Sequence, residues 1–202
     1  MNPTDAVSFT QIAVSLFLIM NAVGQIPLFV AILAPYDHSH QKKIIIRELI
    51  FAFIILLIFN FFGDALLRSL GISQSIIGMA GGILLFLVAL EMVFPKPKDA
   101  SGLPKHEPMV VPLAIPVITG PGSIAMIMTF AHDTDNPSMV AAAAFCAWLP
   151  SLIILLLSSY LKKLLGEKGL QAVERLGGML VILIGIQMFA SGLISLVKAE
   201  FP

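Results

Sequence analysis

Six apolar runs constrain this chain more than any other feature: Ala6–Ala34, Leu49–Leu67, Ile72–Phe94, Val110–Ala131, Met139–Leu161 and Leu176–Val197. A helix crossing the ~30 Å hydrocarbon core of a bilayer needs about 20 mostly apolar residues, because each adds ~1.5 Å of rise. Short polar connections separate the runs. Composition fits the same solvent: 58% of residues are hydrophobic and 12% charged, about half the charged share of an average soluble domain. The expected fold is an all-α membrane protein with six transmembrane helices. Met1 to Ala6 contains no Lys or Arg, so the first run reads as a retained membrane segment rather than a cleaved signal peptide.

Several function classes are excluded at this level. The 12 basic and 12 acidic residues cancel, so the basic face of a nucleic-acid binder is missing. Cys146 is the only cysteine, which rules out an intrachain disulfide or a cysteine-based metal site. Neither an HExxH pattern nor a Ser/His/Asp set lies within the runs. The glycine-rich Thr119–Ser123 lacks the Lys-Ser/Thr ending of a nucleotide-binding loop. The expectation is therefore a non-enzyme without cofactor or metal.

Charge asymmetry sets orientation. With the amino terminus outside, the inner connections carry Lys42, Lys43, Arg47, Lys96, Lys98, Lys105, Lys162, Lys163, Lys168 and Arg175, and the outer ones only Arg68 and Lys198. The positive-inside rule then predicts that both termini are extracytoplasmic.

The third and sixth runs align without gaps at an offset of 96. Gly81-Gly82-Ile83-Leu84 falls on Gly177-Gly178-Met179-Leu180, and Leu90-Glu91-Met92 on Ile186-Gln187-Met188. Residues 1–98 and 109–202 then form two three-helix repeats joined by a cytoplasmic linker, 99–108, in one integral membrane domain. Three is odd, so the halves cross in opposite senses, giving an inverted repeat. The glycines of these runs, with Gly78 and Gly82 at GxxxG spacing, are expected to pack helix on helix.

The same offset places Gly24 on Gly120, and both lie in runs unsuited to a continuous helix. The first run holds Asn21-Ala22-Val23-Gly24-Gln25-Ile26-Pro27; the fourth holds Pro112, Pro116 and Pro121 around Thr119-Gly120-Pro121-Gly122-Ser123. Proline removes a backbone donor and clashes with the preceding turn. The first and fourth helices are thus predicted to break near mid-membrane. Freed backbone groups at that depth must face protein or a wet cavity, and half-helix ends there carry partial charge suited to a solute. Asn21, Gly24, Gln25, Thr119, Gly120, Gly122 and Ser123 are the candidate binding residues. Glu91, Asp64, Asn60, Gln187 and Arg47 are candidates for coupling or polar support. Arg47 is placed to pair with Glu91, and Asp64 with Arg68 four residues on. Glu91 is open to either interfacial anchoring or a cavity role.

These blocks resemble the MarC family of bacterial integral membrane proteins over essentially the whole chain. The resemblance is carried by Asn21–Phe29, Arg47-Glu48-Leu49, Val111–Pro116 with Gly120-Pro121-Gly122, and Leu165–Gly169 with Glu174-Arg175-Leu176. It implies six helices in the bacterial cytoplasmic (inner) membrane and kinship with LysE-like exporters of amino acids or ions. The function expected is a secondary transporter or exporter of a small polar solute, an amino acid or related metabolite. A passive channel and a non-transporting assembly or sensory partner are the alternatives. Expected partners are the bilayer and the solute, with homo-oligomerisation open.

Overall fold

The computed structural model describes residues 8–33, 35–94 and 120–200. Among them are seven helices: α1 (Phe9–Met20), α2 (Ile26–Leu33), α3 (His38–Leu70), α4 (Gln74–Val93), α5 (Pro121–Thr134), α6 (Pro137–Leu156) and α7 (Ser158–Glu200). No described residue lies in a strand. Four stretches are long and apolar enough to cross a membrane: His38–Leu70, Gln74–Val93, Pro137–Leu156 and Lys168–Ala199. Their outward faces carry large apolar side chains such as Phe62, Leu87, Ile153 and Leu183. Helices apolar all round belong in lipid.

Local chemistry sets the boundaries. Asp37 accepts hydrogen bonds from the Ser39 and His40 amides and caps α3. Gln41 Nε2 donates to the carbonyls of Leu33 and Tyr36 and ties the α2–α3 turn to the helix. The polar stretch through Lys42, Lys43 and Arg47, expected as a connection, is therefore the first part of a 33-residue α3. At ~1.5 Å per residue that helix is about 50 Å long and outruns a bilayer core. Gly71, at φ 68°, ends it in the left-handed region that glycine enters freely. Gly166, at φ 63° and ψ 177°, kinks α7 before its long apolar part.

Glycines bring α4 and α7 together in antiparallel contact. A Cβ on Gly82 would lie 2.6 Å from the Gly185 carbonyl oxygen, and one on Gly192 would lie 2.8 Å from that of Ser75. Such approach is available only to residues without a side chain. On this pair rest α5, against α4, and α2, against α7. α6 lies against α1 and α3; the indole Nε1 of Trp148 donates to the Leu49 carbonyl at 2.8 Å. Two apolar clusters result. One joins α1, α3, α4, α5, α6 and α7 around Leu16, Met126 and Met188; the other gathers Ile26, Phe29, Leu49 and Leu155 near the α2–α3 turn.

Candidate functional site

The first run does break where its sequence breaks. α1 stops at Met20, and Asn21 takes a left-handed conformation at φ 47°. The polar side chains of the break serve the break itself. Asn21 Oδ1 accepts from the Gly24 amide at 3.2 Å, and Gln25 Nε2 donates to the Met20 carbonyl at 3.0 Å. These bonds satisfy backbone groups that an interrupted helix would leave orphaned in an apolar medium. Gly24 is required because a Cβ there would collide with the Asn21 side chain. Asn21 Nδ2 also approaches Met92 Sδ of α4 at 3.4 Å.

At the second expected break the described residues begin with the start of α5. Gly120 caps α5 in an extended conformation and Pro121 occupies the first turn, where a missing N–H costs nothing. Ser123 is buried. A Cβ on Gly122 would strike the Leu85 side chain, so the amino end of α5 sits hard against α4. Thr119, Pro112, Pro116 and the 99–108 linker lie outside the described residues. The first break and the amino end of α5 thus both meet α4, at Met92 and at Leu85, about two turns or ~10 Å apart along that helix.

A polar cavity of about 350 Å³ opens where α3 gives way to α4, here called the Gly71 end. That volume lies in the range of roughly 300–1,000 Å³ common for small-molecule sites. α1 contributes Gln11 and Ser15, α4 contributes Gln74, Ser75 and Gly78, and α7 contributes Gln187, Ser191, Gly192 and Ser195. Thr129, His132 and Asp133 of α5 complete the polar wall. Met126, Phe130, Ile184 and Met188 are the large apolar residues of the lining. Met126 is six residues from Gly120, about 9 Å along α5 from the start of that helix. Burial holds the Asp133 carboxyl above its ordinary value, with the charge of His132 pulling it down.

Of the residues expected to support the site, only Gln187 lines this cavity. Asn60 is buried and donates through Nδ2 to the Pro137 carbonyl at 2.9 Å, an interhelical bond between α3 and α6. Two expected pairings are corrected. Arg47 pairs not with Glu91 but with Glu48, at 3.0 Å, and Glu91 is exposed. Glu48 is 1% exposed, whereas the Arg47 side chain that reaches it stays about half exposed. Asp64 meets not Arg68 but His132 of α5, with Oδ2 3.3 Å from Nδ1. His132, read as part of a connection, stands in the last turn of α5. Gln11, Ser15, Gln74, Thr129 and Ser191 were missed by sequence reasoning. Their signal was weak, since each is one polar residue near the end of an apolar run, where an interfacial residue looks the same.

Comparison with known proteins agrees with the architecture. The MarC family integral membrane protein profile matches residues 6–197. The UPF0056 inner membrane protein YhgN of Escherichia coli K12 is 39% identical over 184 residues, covering 90% of this chain and 93% of its own length. A UPF0056 membrane protein of Buchnera aphidicola from Schizaphis graminum is 39% identical over 180 residues, with 88% and 92% covered. Another, of Chlamydia trachomatis, is 39% identical over 174 residues, with 85% of each chain covered. No solved structure matches.

Proposed function

Given that the chain belongs to the MarC family of integral membrane proteins, we propose that it is a secondary transporter or exporter of a small polar solute in the bacterial inner membrane. An amino acid or related metabolite is the class suggested by the family's exporter kinship. The observation that carries this reading is that the break after Met20 and the start of α5 both lodge against one helix, α4, with a polar cavity whose nearest lining residue lies about 9 Å along α5 from Gly120. Broken helices beside a cavity are the usual setting of a carrier's solute site. Nothing in the arrangement calls for catalysis.

The architecture proposed is six crossings in two inverted repeats, 1–98 and 109–202. Reciprocal contacts support it. Under the offset of 96, the approach of Gly82 to the Gly185 carbonyl becomes that of Gly178 to the Ala89 carbonyl, and both occur, at 2.6 and 3.2 Å for an added Cβ. The approach of Gly81 to Met188 Cε becomes that of Gly177 to Met92 Cε, and both occur again. α2 lies on α7 as α5 lies on α4. With both termini extracytoplasmic, as the positive-inside rule implies, the cavity opens outward. A reporter active only in the cytoplasm, fused after Pro202, is expected to be silent.

The transport reading is tested by untargeted metabolite comparison of deletion and overexpression strains, followed by flux in proteoliposomes. A solute accumulates in the deletion strain, wild type relieves it, and Gly120→Leu does not. Full relief by Gly120→Leu would remove the second break from the site. Absence of flux together with a stoichiometric co-purifying protein would favour an assembly role.

A further inference from the structure

We propose that the cavity at the Gly71 end binds an uncharged solute rich in hydroxyl or amide groups, of which a polyol is the type. The inference rests on the transport reading of a small polar solute and replaces its amino-acid class with an uncharged one. Gln74 carries it. Both amide atoms of its side chain, Nε2 and Oε1, are buried, yet neither has a protein partner. Gln74 stands on the cavity wall. A buried amide without a partner is uncommon, and where it lines a roomy polar cavity it marks a place for water or ligand.

The rest of the wall has the same character. Gln11 of α1 and Gln187 of α7 bring two more amides, and Ser15 and Ser191 bring hydroxyls. Every one of these groups offers a donor and an acceptor together. A hydroxyl-bearing solute presents the same pair at each position and can replace ordered water bond for bond.

Titratable side chains on the lining are confined to α5, where His132 is engaged by Asp64. Apart from His132 and Asp133 the lining contains no titratable side chain. An ion entering it would lose hydration without a counter-charge in return. The helix ends around the cavity are mixed, with the amino ends of α1 and α4 and the carboxyl-terminal turns of α5 and α7 on its lining, so they add no net preference for an ion. A zwitterion carries two charges and meets the desolvation cost at both.

The test is binding by the purified full-length protein in detergent, read by isothermal titration calorimetry and by thermal unfolding. Erythritol, xylitol and sorbitol are the polyol probes, and serine is the zwitterionic one. Saturable polyol binding that raises the unfolding temperature is expected, with serine much weaker. Gln74→Leu raises Kd by about tenfold or more. Ser191→Trp, at an exposed position of α7, fills the cavity and abolishes binding, and it decides the matter if Gln74→Leu does not fold. No saturable polyol binding, binding unchanged in Ser191→Trp, or serine binding as tightly with the same sensitivity to Ser191→Trp would overturn the proposal. Flux is measured separately. Polyol binding without flux leaves the site standing and removes the carrier, whereas flux without polyol binding does the reverse.

Discussion

Replacing Gly82 by alanine tests the packing on which the whole arrangement depends. The added Cβ would lie 2.6 Å from both the Gly185 carbonyl oxygen and the Phe189 nitrogen, and 2.9 Å from Phe189 Cα. Carbon contacts are comfortable from about 3.5 Å, so α4 and α7 must separate by about 1 Å. All three neighbours are backbone atoms of a helix and cannot swing aside. Overpacking of this kind costs up to about 3 kcal/mol. Alanine returns about 1 kcal/mol through its better helix propensity. The net loss is about 2 kcal/mol, which for a chain of this size corresponds to a fall of roughly 4–8 °C in Tm. Gly177→Ala is the control, because there the nearest group is Met92 Cε at 3.8 Å, an ordinary contact. That variant keeps the propensity gain and should match or exceed wild type. Unfolding in mixed micelles with increasing dodecyl sulfate, followed by circular dichroism, measures both. Equal stability of Gly82→Ala and Gly177→Ala would refute the close approach of α4 and α7.

Two further substitutions address the break and the cavity mouth. Asn21 combines a left-handed backbone with a bond from its side chain to the Gly24 amide. Asn21→Gly keeps the backbone freedom and loses the bond, while Asn21→Ala loses both, so alanine should be the less stable of the two by about 1 kcal/mol; the reverse order in the same unfolding assay would show the conformation unimportant. Asp133 titrates higher in the folded chain than its usual value of about 4. Its protonated form therefore favours the fold, a contribution fully present below pH ~4 and lost as pH rises through the raised folded value. Asp133→Asn should be as stable as wild type in acid and more stable at neutral pH. A stability difference that does not change with pH would contradict the partial desolvation that raises this carboxyl.

Much of this protein was legible along the chain because the determining forces are local. Helix existence follows from run length and apolarity, which need no knowledge of neighbours. The break at Asn21 to Gln25 and the start of α5 at Gly120-Pro121 follow from residues that cannot continue a helix whatever surrounds them. The glycines of α4 and α7 announced close packing for the same reason, since they serve little else within a helix.

What the sequence left open are the identities of partners, which depend on which helix lies opposite. Local spacing suggested Arg68 for Asp64, but α5 lies across from that turn and supplies His132. Arg47 turns to Glu48 because that carboxylate is buried among helices and has a charge to satisfy, whereas Glu91 is exposed. Asn21 and Gln25 were legible as polar residues of a break, but that each bonds to the backbone of that break depends on the local fold. The polar cavity is the extreme case. Gln11, Gln74, Thr129 and Ser191 come from four helices as far apart as 180 positions in the chain. No one of them departs from its run strongly enough to be noticed. Only the antiparallel glycine seam of α4 and α7, with α1 and α5 laid beside it, turns four unremarkable polar residues into one wall.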